Sequence, residues 1–429
     1  MVAAAAALFG RMKLPRGVPV RTAVLVVGAA VLGIGAGFLV SLSWGAGPSL
    51  TIYSSLPRYD ADGNRNKRTE DMEEAIRFAL DDRGGKAGKF DIDYKPLDST
   101  DKTGAFLTRK IQENARIAAG DDATAVYIGD FSSSASIESI PILSRAGIPQ
   151  ISPSSTRVGL TSGDALSDID EPDQYYRGGS RNFVRVIPND DIQAAALRAL
   201  MKKDRCSTVA IIYDGQDYSQ GLAVLMGLIA RPRRTFSEDV RPNERSERYE
   251  KLARKARKRR ADCFLYMGAD NPNTFGIYDA FANALPNARL YGTDGVSEAS
   301  LTDAAGNLAG FANRVRLMVP PRNLGRQGGF RRKFAHTPDP YAVYAYETMM
   351  LALDAIEESG SGEHADILER LTSEKERDSL LGTYSIDSRG DTNLVDSNYL
   401  TFEGGEPKFH RTAGQATLRR NLEFIRERK

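Results

Sequence analysis

Two serine-rich loops and two aspartate-bearing turns are the parts of this sequence best suited to chemistry. Gly129-Asp130-Phe131-Ser132-Ser133-Ser134 and Ser152-Pro153-Ser154-Ser155-Thr156 each follow a short apolar run. The first leads into a helical pattern, where free N–H groups and a partial positive charge favour an anion and hydroxyls add donors. A carboxylate is the natural candidate, although serines at such places also serve as N-caps and turn residues. Further along, Asp214-Gly215-Gln216-Asp217-Tyr218 and Gly292-Thr293-Asp294-Gly295 set carboxylates among turn residues at strand ends. These suit a ligand ammonium, though aspartate is also common in turns. Hydroxyls on one side and an acid on the other would fit a zwitterion.

Other chemistries find little support. His336, His364 and His410 stand at least 28 residues apart, and the two cysteines form no CxxC pair, so neither a metal nor another cofactor is expected. There is no Gly-x-Ser-x-Gly elbow, and no histidine lies near Ser132–Ser134 in sequence to act as a base. Gly84-Gly85-Lys86-Ala87-Gly88-Lys89 is one residue short of a phosphate loop and is followed by Phe90, so it reads as a helix stop and turn. An exported enzyme is therefore the weaker alternative. A net charge of +2 implies no pull toward nucleic acid. The stretch 231–260 is locally basic, with thirteen Arg or Lys against five acids. It reads as a solvated helix face or a contact for an acidic partner.

The elements that position these loops alternate regularly. Strands are expected at 50–53, 90–95, 125–129 and 148–152, with helices at 70–82, 103–119 and 134–145 between them. After a polar, Gly-rich stretch at 161–181 the alternation restarts with strands at 183–187, 208–213, 263–267 and 288–291, and helices at 190–202, 218–229, 245–259 and 273–284. A strand at 315–319 and a helix at 340–358 form a third piece that must pack on one of the other two. Such βαβ units predict two doubly wound, mainly parallel α/β lobes, with ligands held beyond the carboxyl ends of the strands. Cys206 lies just before one strand of the second series and Cys263 at the start of another, and neighbouring strands would bring them within disulfide reach.

The N-terminus sets the compartment. Arg11, Lys13, Arg16 and Arg21 precede residues 22–44, and no charge follows until Arg58. This apolar stretch is long enough to span a membrane with the basic residues 1–21 in the cytoplasm. A cleavable signal ending near Ser43-Trp44-Gly45 is the competing reading. Either way the body is extracytoplasmic, anchored to the cell membrane or secreted.

The runs YIGDFSSSASIESIPILSRAGIPQISPSSTRVGLT (127–161), YDGQDYSQG (213–221), ADCFLYMG (261–268), YGTDGVSEASL (291–301) and YAVYAYETMMLALDAI (341–356) resemble the periplasmic Leu/Ile/Val-binding protein family of ABC-transporter receptors. The resemblance implies two lobes joined by three hinge crossovers, the type I periplasmic-binding-protein fold. Lobe one would be 49–180 plus 313–378, and lobe two 181–312 plus 379–412, with 413–429 a charged tail. It also implies ligand contacts from Ser133, Ser154 and Thr156 in lobe one, and closure by Tyr218 and Asp294 from lobe two. Tyr59 would supply an aromatic wall. The implied partners are a small amino acid or amide and ABC permease subunits; a sensing receptor not coupled to transport would use the same cleft. Two departures from the family's best-known members stand out: Asp294 is a methylene shorter than their glutamate, and Asp270-Asn271 replaces an aromatic pair. Leucine, isoleucine or valine as ligand therefore does not follow.

Overall fold

Short apolar runs closed by turn residues become strands in this protein, and each helix between them buries one face. The computed structural model describes residues 47–60, 63–101, 108–163, 170–229, 236–241, 244–302, 308–321 and 325–427. The apolar segment 22–44 lies outside them, so the expected anchor is not described. Among the described residues, no helix is long and apolar enough to cross a membrane.

Within the unit Pro48–Lys429, the chain begins with β1 (Ser49–Leu56), α1 (Lys67–Asp82), the short β2 (Lys86–Ala87) and β3 (Phe90–Asp98). It continues through α2 (Thr108–Ala119), β4 (Thr124–Ile128), α3 (Ser133–Arg145), β5 (Gln150–Ser152) and β6 (Phe183–Arg185). These strands form one sheet in the order β2-β3-β1-β4-β5-β6, parallel except for β2. The second half runs α4 (Asp190–Lys203), β7 (Val209–Tyr213), α5 (Asp217–Ile229), β8 (Phe236–Asp239), α6 (Ser246–Lys258), β9 (Cys263–Met267), α7 (Thr274–Ala284), β10 (Arg289–Gly292) and β11 (Val315–Val319). Then come α8 (Gly328–Arg331), α9 (Ala342–Ser359), α10 (His364–Leu371), a small hairpin β12 (Arg377–Ser379) and β13 (Gly382–Tyr384), a second hairpin β14 (Asn398–Glu403) and β15 (Glu406–Arg411), and α11 (Gln415–Arg426). The second sheet is ordered β15-β14-β11-β10-β9-β7-β8.

Both faces of each sheet are covered, as near-continuous apolar strands require. Met72, Ala75, Ile76 and Ala79 of α1 are buried at helical spacing and share a core with Met349, Ala352 and Ile356 of α9. Each Met or Ile among them removed from water contributes roughly 1.5–3 kcal/mol. The third piece of the chain thus divides: β11 joins the second sheet, and α9 packs on the first.

Strand pairing moves the expected lobe edges. Phe183 pairs with Gln150, so β6 closes the first sheet instead of opening the second. Val315 pairs with Leu290, so β11 lies in the second sheet and not in a lobe-one segment beginning at 313. The alternation of strand and helix marks each element but not which sheet it joins, because a crossing can fall between a strand and the helix after it. The chain passes between sheets after β6, after β11 and after β13. Arg185 of β6, fully buried, ties the first of these to the third through Asp391 at 2.7 Å.

The charged tail at 413–429 is largely the helix α11. Leu418, Leu422 and Ile425 are buried at i, i+4, i+7 spacing, Asn421 donates to the Ala195 carbonyl of α4 at 3.1 Å, and the Arg198 guanidinium lies 3.9 Å from the Phe424 ring centre. Charges on the outer face masked that stripe. In the second sheet β7 and β9 are direct neighbours, and a disulfide joins Cys206 to Cys263 with Cα atoms 5.8 Å apart.

Candidate functional site

The site-forming loops follow the carboxyl ends of β4, β5, β9 and β10. After β4, Ser132 caps α3 by accepting the Ala135 N–H at 3.2 Å, and the Ser133 hydroxyl oxygen accepts the Arg157 N–H at 3.1 Å. Hydroxyls tie the second loop to the first. Ser154 donates to the Phe131 carbonyl at 2.7 Å, while Ser152 and Ser155 donate to the Asp130 carbonyl at 2.9 and 3.1 Å. Much of the serine content therefore holds two loops together, which is the plainer use of such residues. Beneath them Asp130 is fully buried, and that burial pushes its carboxyl up to about 6.

The turn after β10 accepts only glycine at its flanks. A Cβ at Gly292 would meet the Tyr278 hydroxyl at 2.4 Å, and one at Gly295 would meet the Gly268 carbonyl at 2.3 Å. Asp294 between them is gripped from several directions. Tyr218 donates to one carboxylate oxygen at 2.6 Å, and the Gln193 amide donates to the same oxygen at 3.0 Å. Tyr341 donates to the other oxygen at 2.9 Å. Burial and then the Asp294 charge raise both phenols well above their ordinary range, so both stay protonated donors. Tyr341 stands at the start of α9 on the first sheet, so Asp294 is held from both halves of the protein.

Other contacts cross between the halves nearby. Arg68 of α1 lies 3.1 Å from Asp339 and 3.7 Å from Asp270, with its guanidinium 5.7 Å from the Tyr341 ring centre. Asp270 also accepts the Ser297 N–H at 2.8 Å, and Asn271 donates to the Tyr266 hydroxyl at 2.7 Å. The polar pair after Gly268 thus serves ion pairing and hydrogen bonding. Arg157, which forks onto Glu171 at 2.9 and 3.2 Å, reaches the Asp217 carbonyl at the start of α5.

Of the residues marked in the sequence, Tyr218 and Asp294 touch directly. Thr156, buried, sits close enough to Asp190 to favour its ionised form. Ser133 and Ser154 lie in the two linked loops. Tyr59 does not join this group through its described contacts: it is half-buried, its N–H donates to the Thr100 hydroxyl at 3.3 Å and Arg65 lies over its ring. Asp214, a candidate acid, instead closes its own turn, accepting from Ser219 at 2.6 Å and from the Ala269 N–H at 3.0 Å. Sequence reasoning passed over Asp190, Gln193 and Tyr341, because each reads as an ordinary residue of a helical turn. Only the crossing of the chain beside them brings them to the site.

The model of the family described as periplasmic binding protein matches residues 59–404. The chain belongs to that family. Among curated relatives, Leu/Ile/Val-binding protein homolog 1 of Brucella suis biovar 1 is 24% identical over 283 residues, covering 64% of this chain and 70% of the relative. Leu/Ile/Val-binding protein homolog 2 of Brucella abortus is 25% identical over 292 residues, 66% of this chain and 72% of the relative. A leucine-binding protein from Thermotoga maritima shares the fold with a TM-score of 0.69 at 18% identity, over 84% of this chain and 97% of that one. A solute-binding protein of an ABC transporter from Rhodopseudomonas palustris HaA2, solved with p-hydroxybenzoic acid, gives a TM-score of 0.69 at 13% identity, over 86% and 98%. These likenesses identify the fold as the type I periplasmic binding fold, in a family of solute-binding proteins.

Proposed function

We propose that this family member captures a small, zwitterionic, amino-acid-like ligand between its two sheets and delivers it to an ABC permease of the branched-chain amino acid type outside the cytoplasm. The observation that carries the reading is Asp294, whose two oxygens accept from Tyr218 and Gln193 on one side and Tyr341 on the other. An acid at the meeting point of two lobes favours a ligand ammonium, and closing the lobes around that pair excludes water and strengthens it. The α3 N-terminus and the hydroxyls of Ser133 and Thr156 would supply donors for the ligand carboxylate, with Ser154, whose hydroxyl is given to the Phe131 carbonyl, fixing the two loops in that arrangement. The names of the Brucella relatives, and the leucine-binding neighbour, agree with an amino acid as ligand. Neighbours solved with benzoates bind a carboxylate without an ammonium.

The test is a thermal-shift screen of the purified protein against amino acids, amides and small carboxylates. A ligand at 100 times its Kd adds about 2.7 kcal/mol of stability, so a true ligand shifts Tm clearly. Shifts confined to small carboxylates without an ammonium, such as benzoates, would contradict the reading.

A further inference from the structure

The parallel strands of the second sheet all start at one edge, and that edge is crowded with exposed cations. Val209 of β7 and Arg289 of β10 both pair with Cys263 of β9, and Leu290 pairs with Val315 of β11, so the amino ends stand level. The site loops leave the opposite ends. At about 3.3 Å per residue, a strand such as Val209–Tyr213 puts roughly 16 Å between the two edges.

Helices that return to this edge finish in basic residues. α4 closes with Lys202 and Lys203, and Arg205 follows one residue past its cap. α6 closes with Arg257 and Lys258, followed by Arg259 and Arg260. With Arg289 at the start of β10, eight exposed cations share the edge, and none of them forms an ion pair among the described residues. The two acids within these segments are engaged. Asp204 accepts from Arg316 at 2.7 Å and from the Tyr291 hydroxyl at 2.8 Å, and Asp262 accepts the Ser207 and Thr208 N–H groups at 2.9 and 2.8 Å.

Part of this pattern is ordinary, because cations in the last turn of a helix complement its dipole. That accounts for Lys202, Lys203, Arg257 and Lys258, but not for Arg205 and Arg260. Each is the second residue past its helix end and adopts a left-handed backbone, with φ of 61° and 57°. Glycine is favoured there, since a Cβ crowds the following carbonyl oxygen. Two arginines at two glycine positions of one edge serve charge at the expense of the fold. The edge also lacks the large apolar anchors on which protein interfaces depend. The exposed large hydrophobic residues, Ile117 and Val224, belong to α2 and to the middle of α5.

Long cations from three separate segments, spread over a blunt end, suit a surface whose negative groups can move to meet them. We propose that this edge docks on a bilayer of anionic phospholipid headgroups, with the ligand loops at the far end of the sheet. Each basic side chain near such a surface adds to an attraction that salt weakens. The apolar stretch 22–44 leads the chain to a membrane whether it is kept or cleaved.

The test uses the unit Pro48–Lys429, which holds both sheets and the disulfide and lacks the apolar stretch that would enter any vesicle. Co-sedimentation is measured with vesicles of phosphatidylcholine alone and of phosphatidylcholine and phosphatidylglycerol in equal parts. Binding is expected to the second only, fading as salt rises from about 0.05 to about 0.5 M. Arg205→Gly with Arg260→Gly should weaken it ten-fold or more and melt no lower than the wild type, since glycine suits both backbones. Arg109→Gln with Arg116→Gln, the same loss of charge at exposed positions of α2, should leave it unchanged. Lys203→Gln with Lys258→Gln replaces the glycine pair if that variant fails to fold. Equal binding to both vesicles, binding to neither, or equal losses from the edge and α2 variants would overturn the proposal. Capture by immobilised polyglutamate without vesicle binding would also overturn it, in favour of an acidic peptide.

Discussion

Asp294 and Asp190 sit at the same junction but in opposite conditions. The first accepts from two phenols and an amide, whereas the second is buried, with the Gln193 amide 3.2 Å from one of its oxygens and Thr156 beside it. Removing the Asp294 charge with Asp294→Asn should weaken a zwitterionic ligand by tenfold to a hundredfold or more, because a charge-assisted hydrogen bond is worth ~1.5–3 kcal/mol. Titration calorimetry reads that loss directly. Asp190 makes a separate prediction in the ligand-free protein. Its folded carboxyl, raised to about 8, holds a proton that the unfolded chain releases near pH 4. The folded state therefore binds more protons across that window, and its stability falls as pH rises through it. Thermal melting should show Asp190→Asn gaining on the wild type from about pH 4 to about pH 8 and gaining no further above it. A constant gap across that range would contradict an acid desolvated in the closed lobes.

At the level of elements, the sequence revealed most strands and helices, because their apolar periods are strong and their caps and glycines conventional. The helix starting at Ser133 and the strand Cys263–Met267 lie within a residue of where periodicity puts them. What stayed hidden was allegiance. β6 and β11 carry no mark of the sheet they join, since Phe183 and Val315 are apolar in either setting and only pairing separates them. α11 was hidden by its own charges, although Leu418, Leu422 and Ile425 already spelled a buried face. Leu418→Ala, at a fully buried position, should cost on the order of 2–5 kcal/mol in chemical denaturation; a loss near zero would mean that α11 does not dock on α4. The Cys206–Cys263 bond ties β9 to the turn before β7. It closes a loop with a sequence separation of 57, for which the loop-entropy relation gives roughly 4 kcal/mol. Replacing both cysteines with alanine should lower stability by roughly 2–4 kcal/mol, and two thiols titrating in the unfolded, unreduced wild type would rule the bond out.

Across the whole molecule, the family and the two-lobed architecture were legible from ordered motifs, whereas the site was legible only in part. Asp294 and Tyr218 announce themselves in loops after strands. Tyr341, Gln193 and Asp190 become site residues because three crossings bring the start of α9 and the start of α4 against the β10 turn. The lobes meet through Asp294–Tyr341, Arg68–Asp270 and Arg157–Asp217, and a ligand must part these contacts or sit among them. The measurement that bears most directly on this account is calorimetric titration of wild type and Asp294→Asn with an amino acid that binds and with its deaminated analogue. The account predicts firm binding of the amino acid by the wild type, a loss of tenfold or more on Asp294→Asn, and little binding of the analogue by either. Equal binding of amino acid and analogue by the wild type, or unchanged affinity in Asp294→Asn, would contradict it.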